Sequence, residues 1–292
     1  MYAAVERAFQ VIRKSSYVLL PVAVIGACGL SHEEPSIQPE KRAVVDLSNA
    51  PAGGGIPGLT LPTSGIEQPA NTSGCPEGMI LVEGSYCPNP VQTCVEWKDD
   101  PAKFQFARCA RYAEPSKCKG ERESLRFCID KLEAADATGL PAADVSWTQA
   151  AAACKANGKR LCQEREWVFA CEGEQMLPYP YGYQRDPSVC NFEITEGLAT
   201  NKGELADRRQ PVTANPQCLS PFGVANMVGN IDEWVVLDRP HYSQVNGGRK
   251  MMSGLKGGWW GPLRNRCRPV TVDHDELFHE LQTGYRCCAE AI

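Results

Sequence analysis

With 292 residues, of which 43% are hydrophobic and 22% charged, the chain has the composition of a globular protein and the length of one large domain or two small ones. A formal net charge of −5 without a basic cluster argues against a nucleic-acid-binding protein. Fifteen cysteines with no CxxC pair argue against zinc ribbons and thioredoxin-like sites, and fit a disulfide framework formed in an oxidising compartment.

The first 27 residues have the pattern of a secretory signal. A positively charged stretch precedes an apolar run of 11 residues at 17–27, which is shorter than the ~20 residues of a bilayer span. The run ends at Cys28 in the sequence IGAC, which resembles the lipobox of bacterial lipoproteins. A plain secretory signal or an uncleaved anchor is the alternative. We expect a signal peptide over 1–27 and a lipid on Cys28 that holds the protein to a membrane of the cell envelope, at the outer membrane or a periplasmic face.

The next part of the chain divides into a tether and a folded domain. Residues 28–74 are rich in Pro, Gly, Ser and Thr, and their few apolar side chains cannot offset the entropy of ordering, so a flexible tether is predicted. The folded domain is expected over 75–292, opening with a short strand in the sequence CPEGMILVEGSYC. A cysteine-rich section over 87–128 shows no repeat and is interpreted as a disulfide-stapled insert. A second short strand is predicted at 127–130.

Two helices follow the insert. Ser146 and Gln149 form a capping box before the sequence TQAAAACKA, which has high helix propensity up to the stop at Gly158. A second, shorter helix is predicted at 163–171 in the sequence QEREWVFAC. Beyond Cys171 the chain is full of Gly, Pro and aromatic residues, which predicts a compact, loop-rich fold with short strands.

Several short motifs of the folded part stand in a fixed order: MILVxG at 79–84, FxIDKxE at 127–133, VSW followed by GKRL and EW at 145–167, YPYG at 179–182, FGVANMVGN followed by EW at 222–234, GGxW at 257–260 and GYRC at 284–287. From Met79 to Cys288 the chain thereby resembles the formylglycine-generating-enzyme (sulfatase-modifying-factor) family. The resemblance implies an α+β fold, loop-rich and disulfide-stapled, that elaborates a C-type-lectin-like domain.

Disulfide pairings are implied by the same resemblance. The family bonds the cysteine before GKRL to the cysteine of GFRC, and the cysteine ending the second helix to the one in RYRC. At the matching positions these are the bonds Cys154–Cys287 and Cys171–Cys267. Cys162 and Cys288 are additional to the family pattern, and a bond between them is a further hypothesis.

The family's best-known members oxidise a substrate cysteine to formylglycine, using copper held by two cysteines just after GGSW in a W-x-C-x4-C arrangement. Here Trp260 is followed by GPLRNRC, without a cysteine at the first of these positions. The one cysteine of the segment, Cys267, is assigned to a disulfide. Because copper(I) requires soft thiolate ligands, neither copper nor this oxidation is expected.

Calcium is the expected metal. It takes six to eight oxygen ligands, which carboxylates, amide side chains and backbone carbonyls supply. The resemblance implies one calcium site at Asn226, Gly229, Ile231 and Glu233, and the start of a second at Asn191 and Phe192. The alternative for the first site is that Asn226 and Glu233 only hydrogen-bond to loop amides.

A second kind of metal site can be drawn from the residues near the C-terminus. Ligand types for non-haem iron are dense there, at Asp273, His274, Asp275, Glu276, His279 and Glu280. A spacing of five residues, however, places His274 and His279 off a common helical face. The sequence therefore favours a solvated charged loop over an iron site.

Two function classes remain. The first is a lipid-anchored, non-catalytic domain that presents the family scaffold as a structural module or as a binding module for a protein or glycan ligand. The second is an oxidoreductase that uses a different metal or pocket. The missing copper pair favours the first class.

Overall fold

The computed structural model describes residues 74–243 and 247–292. The predicted signal peptide over 1–27, the lipidated Cys28 and the tether over 28–74, except Gly74, lie outside these residues. Within the described ranges, no helix combines the length and the apolar character that crossing a membrane requires.

Twelve strands and two helices make up the regular structure of the described residues. In chain order they are β1 (Met79–Tyr86), β2 (Pro90–Val91), β3 (Cys94–Trp97), β4 (Cys109–Tyr112), β5 (Lys117–Cys118), β6 (Glu123–Asp130), α1 (Trp147–Ala156), β7 (Arg160–Leu161), α2 (Glu164–Glu172), β8 (Asp232–Tyr242), β9 (Lys250–Lys256), β10 (Val270–Thr271), β11 (Thr283–Gly284) and β12 (Cys287–Glu290). Long connections separate these elements, and the expected α+β, loop-rich fold is confirmed.

The first sheet brings the two ends of the folded domain together. Its strand order is β1-β6-β12-β7, and its pairs are antiparallel. Val82 pairs with Phe127, and both side chains are buried in the main core. Just outside the strands, the Ile292 amide donates a hydrogen bond to the Gly74 carbonyl at 2.9 Å. The last strand of the chain therefore lies inside a sheet whose first strand opens the domain.

The two helices form where the sequence predicts them. At the start of α1 the Ser146 hydroxyl accepts from the Gln149 amide at 3.2 Å, and the Gln149 side chain accepts from the Ser146 amide at 2.8 Å, which completes a capping box. At the start of α2 the Glu166 carboxylate accepts from the Gln163 amide at 2.8 Å. Trp167 on α2 is fully buried, so this short helix is held mainly by its packing.

The second sheet has the order β10-β9-β8-β11. Strand β8 has 11 residues, so the prediction of only short strands after Cys171 is wrong here. It tolerates Pro240 because the pairing with β9 is irregular between Val236 and His241, where no regular ladder bond is required. Strand β11 runs parallel to β8, with Thr283 opposite Asp232, which places the C-terminal segment against the 226–233 loop.

Seven disulfides use all fourteen cysteines of the described residues. The structure joins Cys154 to Cys287, Cys171 to Cys267 and Cys162 to Cys288, and it adds Cys190–Cys218, Cys75–Cys128, Cys87–Cys118 and Cys94–Cys109. The last two lie inside the insert.

The neighbouring residues Cys287 and Cys288 point to opposite faces of β12, as successive residues of a strand do. Cys287 packs with Cys154 and α1 in one hydrophobic cluster, whereas Cys288 packs with Cys162 in the main core.

Candidate functional site

A fully buried ion pair lies at the centre of the candidate site. Arg286, from the GYRC motif, donates through Nε and Nη2 to the two carboxylate oxygens of Glu233 at 2.7 and 2.6 Å. The indole of Trp167 donates to the same carboxylate at 2.7 Å. Both charged side chains are at most 1% exposed. Three segments that are distant in sequence therefore meet at this pair. Removing either charge would leave the other buried and uncompensated, which would strongly destabilise the fold.

Glu133 adds a second buried carboxylate to this centre. It accepts from the side-chain amides of Asn226 at 2.7 Å and Asn230 at 2.9 Å. Burial raises its pKa to about 7, while the positive charge of Arg286 acts in the opposite direction. From the sequence, Glu133 is not identified as a functional residue. Its place at the end of the FxIDKxE motif is the one sequence feature that could have identified it.

Asn230 links this centre to the second predicted metal segment. Its side-chain oxygen accepts from the Asn191 amide group at 3.0 Å, and its backbone amide donates to the Asn191 carbonyl at 2.8 Å. Phe192 is buried beside them, and the guanidinium of Arg185 lies 4.8 Å from its ring centroid. The starts of the two predicted calcium sites thus belong to one hydrogen-bonded network.

The 226–233 loop has the tight curvature that a cation cradle needs. Asn226, Gly229 and Asn230 have φ values of 54°, 78° and 62°, in the left-handed region that bends the chain sharply. A Cβ on Gly229 would come within 2.3 Å of the Asn191 carbonyl oxygen, so only glycine fits.

The donor set around the loop is oxygen-rich, as a hard cation requires. Glu233, however, already accepts three hydrogen bonds of the roughly four that a carboxylate can take. Among the described residues, no three His, Cys, Asp or Glu side chains are grouped to hold a metal. Calcium at this loop therefore stays a prediction, in which Glu233 would share its carboxylate with Arg286 and amide and backbone oxygens would complete the set.

The Gly257–Gly258 corner directly precedes the segment in which the resemblance would place a copper site. Asn265 fixes the corner by donating to the Trp259 carbonyl at 2.7 Å, and a Cβ on Gly258 would meet the Asn265 side chain at the same distance. Trp260 is fully buried, and its indole nitrogen has no hydrogen-bond partner among the described residues. The corner is therefore closely packed.

Asp232 lies beside the corner, at the position of the tryptophan in the family's GNVWEW loop. Its side chain is 9% exposed, and burial raises its pKa to about 7, with Arg264 acting in the opposite direction. Asp232 thus places a buried carboxyl group, in place of an indole ring, beside the corner.

The cysteine-rich insert packs over the corner segment. The guanidinium of Arg264 lies 5.8 Å from the ring of Phe106, and Arg266 donates to the hydroxyl of Tyr112. On the neighbouring loop, Glu193 accepts from Arg108 of the insert and from Arg185 of the body. Aromatic and ionic contacts therefore hold the insert against the segment that follows GGWW.

The histidines of the rival iron site go to separate partners. The His274 ring stacks on Phe278 with a centroid distance of 3.8 Å, and burial lowers its pKa to about 4. His279 instead hydrogen-bonds through Nδ1 to Asp144 at 2.7 Å, and that contact raises its pKa. The structure does not bring the two rings together as ligands.

Comparisons with known proteins point to one family. The model of a sulfatase-modifying factor enzyme 1-like domain matches residues 91–291. A Bos taurus protein named inactive C-alpha-formylglycine-generating enzyme 2 is 33% identical over 183 residues, which cover 59% of this chain and 53% of that protein. The Bos taurus formylglycine-generating enzyme is 38% identical over 99 residues, 32% of this chain and 26% of that protein. The chain spans about half the length, or less, of these curated relatives.

A solved structure agrees on the fold. The crystal structure of CarF superposes with a TM-score of 0.50 at 16% identity, covering 74% of this chain and 98% of that one. At this identity the likeness concerns the fold alone.

Proposed function

We propose that this chain, which belongs to the sulfatase-modifying factor enzyme 1-like family, is a non-catalytic member that serves as a lipid-anchored extracytoplasmic binding or structural domain. The observation that carries the proposal is that every cysteine from Cys75 to Cys288 lies in a disulfide. Copper(I) requires thiolates, so this donor set does not fit the family's copper pair.

Two further observations support the proposal. The insert contacts the segment that follows GGWW, through Phe106 against Arg264 and through Tyr112 against Arg266. A relative that shares 33% identity carries the word inactive in its name. Seven disulfides also favour an oxidising compartment outside the cytoplasm.

The test of non-catalysis is a thiol and turnover measurement on the purified chain with Cys28 replaced by Ser. Denatured protein should show no thiol that reacts with a chromogenic reagent. Supplying copper and a cysteine-containing peptide should produce no oxygen consumption above the rate of the same copper and peptide mixture without the protein. Two reactive thiols together with stoichiometric copper and oxygen uptake would contradict the proposal and favour the oxidoreductase.

Lipid attachment at Cys28 is tested in the producing cell. We expect metabolically incorporated palmitate on the wild-type protein and none on the Cys28→Ser variant, which should leave the membrane fraction. Label retained by the variant would contradict Cys28 as the acylated residue.

Calcium is proposed as a structural ion bound by Asn226, Gly229, Ile231 and Glu233, and Asn191 and Phe192 are proposed as the start of a second calcium site. A cation that binds only the folded state raises the melting temperature, by a few degrees at saturating concentration for a domain of this size. Addition of calcium to chelator-treated protein should therefore raise the Tm, and an Asn226→Ala variant should lose the response, whereas Asn201→Ala, on an exposed turn, should keep it. An unchanged Tm of the wild type would refute the site.

A further inference from the structure

A groove of about 590 Å³ lies apart from the corner and the buried ion pair. Its walls come from the end of β1, the start of β6, the first turn of α2, the outer half of β8 and the segment around β10. None of its lining residues belongs to the 257–267 segment or to the 226–233 loop. Its volume falls within the range of about 300–1,000 Å³ that is typical of small-ligand sites.

The lining of the groove is mixed, with more polar than apolar surface, and part of it is apolar. Val168 and Leu237 are 3% and 4% exposed, and Val270 and Val272 continue the apolar surface towards the edge of the second sheet. The ring of Tyr86 closes one wall, and its hydroxyl accepts from Arg268 at 3.3 Å. An aliphatic group placed on this apolar part would leave water and gain the usual hydrophobic free energy.

Most charged groups of the groove are already committed to partners. Arg268 donates to the buried carboxylate of Glu172 and to the Cys87 and Pro88 carbonyls. Arg165 lies between two carboxylates, at 3.9 Å from Glu123 and 4.0 Å from Asp238. The side chains of Arg268 and Arg165 therefore form part of the groove walls, held there by contacts within the protein.

Two charged side chains of opposite sign are left. Within the residues that the structure describes, neither Glu164 nor Arg239 makes a hydrogen bond or an ion pair through its side chain, and the two do not pair with each other. Glu164 stands in the first turn of α2, whereas Arg239 stands on β8. The groove thus offers one carboxylate and one guanidinium from separate elements, beside the apolar part of its lining.

We propose that this groove binds a small zwitterion with an aliphatic body, of which a hydrophobic dipeptide is the simplest example. The ligand's ammonium group pairs with Glu164, its carboxylate forms a bidentate contact with Arg239, and its side chains lie on Val168 and Leu237. The inference rests on the proposed role as a binding module and names the class of ligand.

The test is calorimetric titration of the full chain with L-leucyl-L-leucine, with its N-acetyl derivative and with its carboxyl-terminal amide. The free dipeptide should bind, and blocking either terminus should weaken binding about tenfold, the loss expected for one charge-assisted contact. Glu164→Gln should weaken the free dipeptide by the same factor but should not weaken the N-acetyl form further, because both changes remove the same contact. Arg239→Gln should likewise weaken binding of the free dipeptide about tenfold, but it should not further weaken binding of the carboxyl-terminal amide.

Two matched variants outside the groove control for general charge effects. Glu77→Gln and Arg111→Gln remove exposed charges of the same kinds and should leave the affinity unchanged. The absence of binding by the free dipeptide, or an affinity that Glu164→Gln and Arg239→Gln leave unchanged, would overturn the proposal. Either result leaves the thiol and oxygen measurements untouched, so failure of the ligand class can be told apart from failure of the non-catalytic role.

Discussion

At the scale of single residues, the candidate site depends on close approaches that leave no room for a methyl group. Gly229 illustrates this, because its Cα faces the Asn191 carbonyl in the network that joins the two predicted calcium segments. In the same network, Glu133 lies 93 and 97 residues before its partners Asn226 and Asn230. Local patterns therefore show that these residues are polar and loop-forming, but not that they meet.

We predict that Gly229→Ala destabilises the fold by roughly 2 kcal/mol more than Gly78→Ala. Both glycines have nearly the same φ, 78° and 77°, so both substitutions incur the left-handed strain of about 1–2 kcal/mol. Only Gly229 adds a steric conflict, because a Cβ at Gly78 meets no atom within 4 Å. Denaturant unfolding of both variants measures the difference, and equal losses would show that the Asn191 contact relaxes freely.

His274 makes the folded state sensitive to acid. Its pKa of about 4 in the folded protein lies below the ordinary 6.5, because burial against Phe278 disfavours the charged ring, and Arg264 acts in the same direction while Asp273 and Asp275 oppose it. The unfolded chain therefore binds this proton more tightly, so the stability that the neutral ring provides is complete above pH 6.5 and is lost as the pH falls towards 4.

We expect His274 to account for at most about 2 kcal/mol of the loss in unfolding free energy between roughly pH 7 and pH 5. A His274→Gln variant should show a correspondingly flatter profile in denaturant unfolding across this range. The exposed His279, whose pKa is raised by Asp144, has a contribution of opposite sign, so His279→Gln should not flatten the acid side. Parallel profiles for His274→Gln and the wild type would contradict the assignment.

At the scale of elements, the parts of the fold that the sequence predicts are those with local signals. The capping box of Ser146 and Gln149 fixes the start of α1, and the aromatic face of QEREWVFAC identifies α2 as a core helix. Strand β8 is longer than expected because its extension depends on pairing with β9, a partner that a single-segment pattern does not contain. The groove is likewise absent from any local pattern, since its walls come from five elements.

The insert is an element whose two disulfides differ from the rest. Cys94 and Cys118 are partly exposed, whereas both members of each of the other five bonds are buried. We predict that mild reduction opens Cys94–Cys109 and Cys87–Cys118 before the others, because a thiolate must reach a sulfur to attack it. Partial reduction followed by alkylation and peptide mapping identifies the order. Early alkylation of Cys171 or Cys267 would show that exposure does not control the order of reduction.

At the scale of the whole molecule, three segments far apart in sequence meet at the buried ion pair of Arg286 and Glu233. The 226–233 loop supplies Glu233, α2 supplies Trp167, and the first sheet supplies the Asp130 carbonyl, which accepts from the guanidinium at 3.2 Å. The resemblance carried by the ordered motifs predicts the family fold and the pairings of Cys154 and Cys171. The resemblance does not predict which residues line the groove or which residues of the insert contact the corner segment.

The adjacency of Cys287 and Cys288 has a consequence for how the protein acquires its bonds. Exchanging their partners would require β12 to slip by one residue, and a slip of one residue turns every side chain of a strand to the opposite face. Such an isomer would also carry the preceding Arg286 away from Glu233. The bonds Cys154–Cys287 and Cys162–Cys288 can therefore form together only when β12 pairs in its native register. Formation of both bonds during oxidation locks that register.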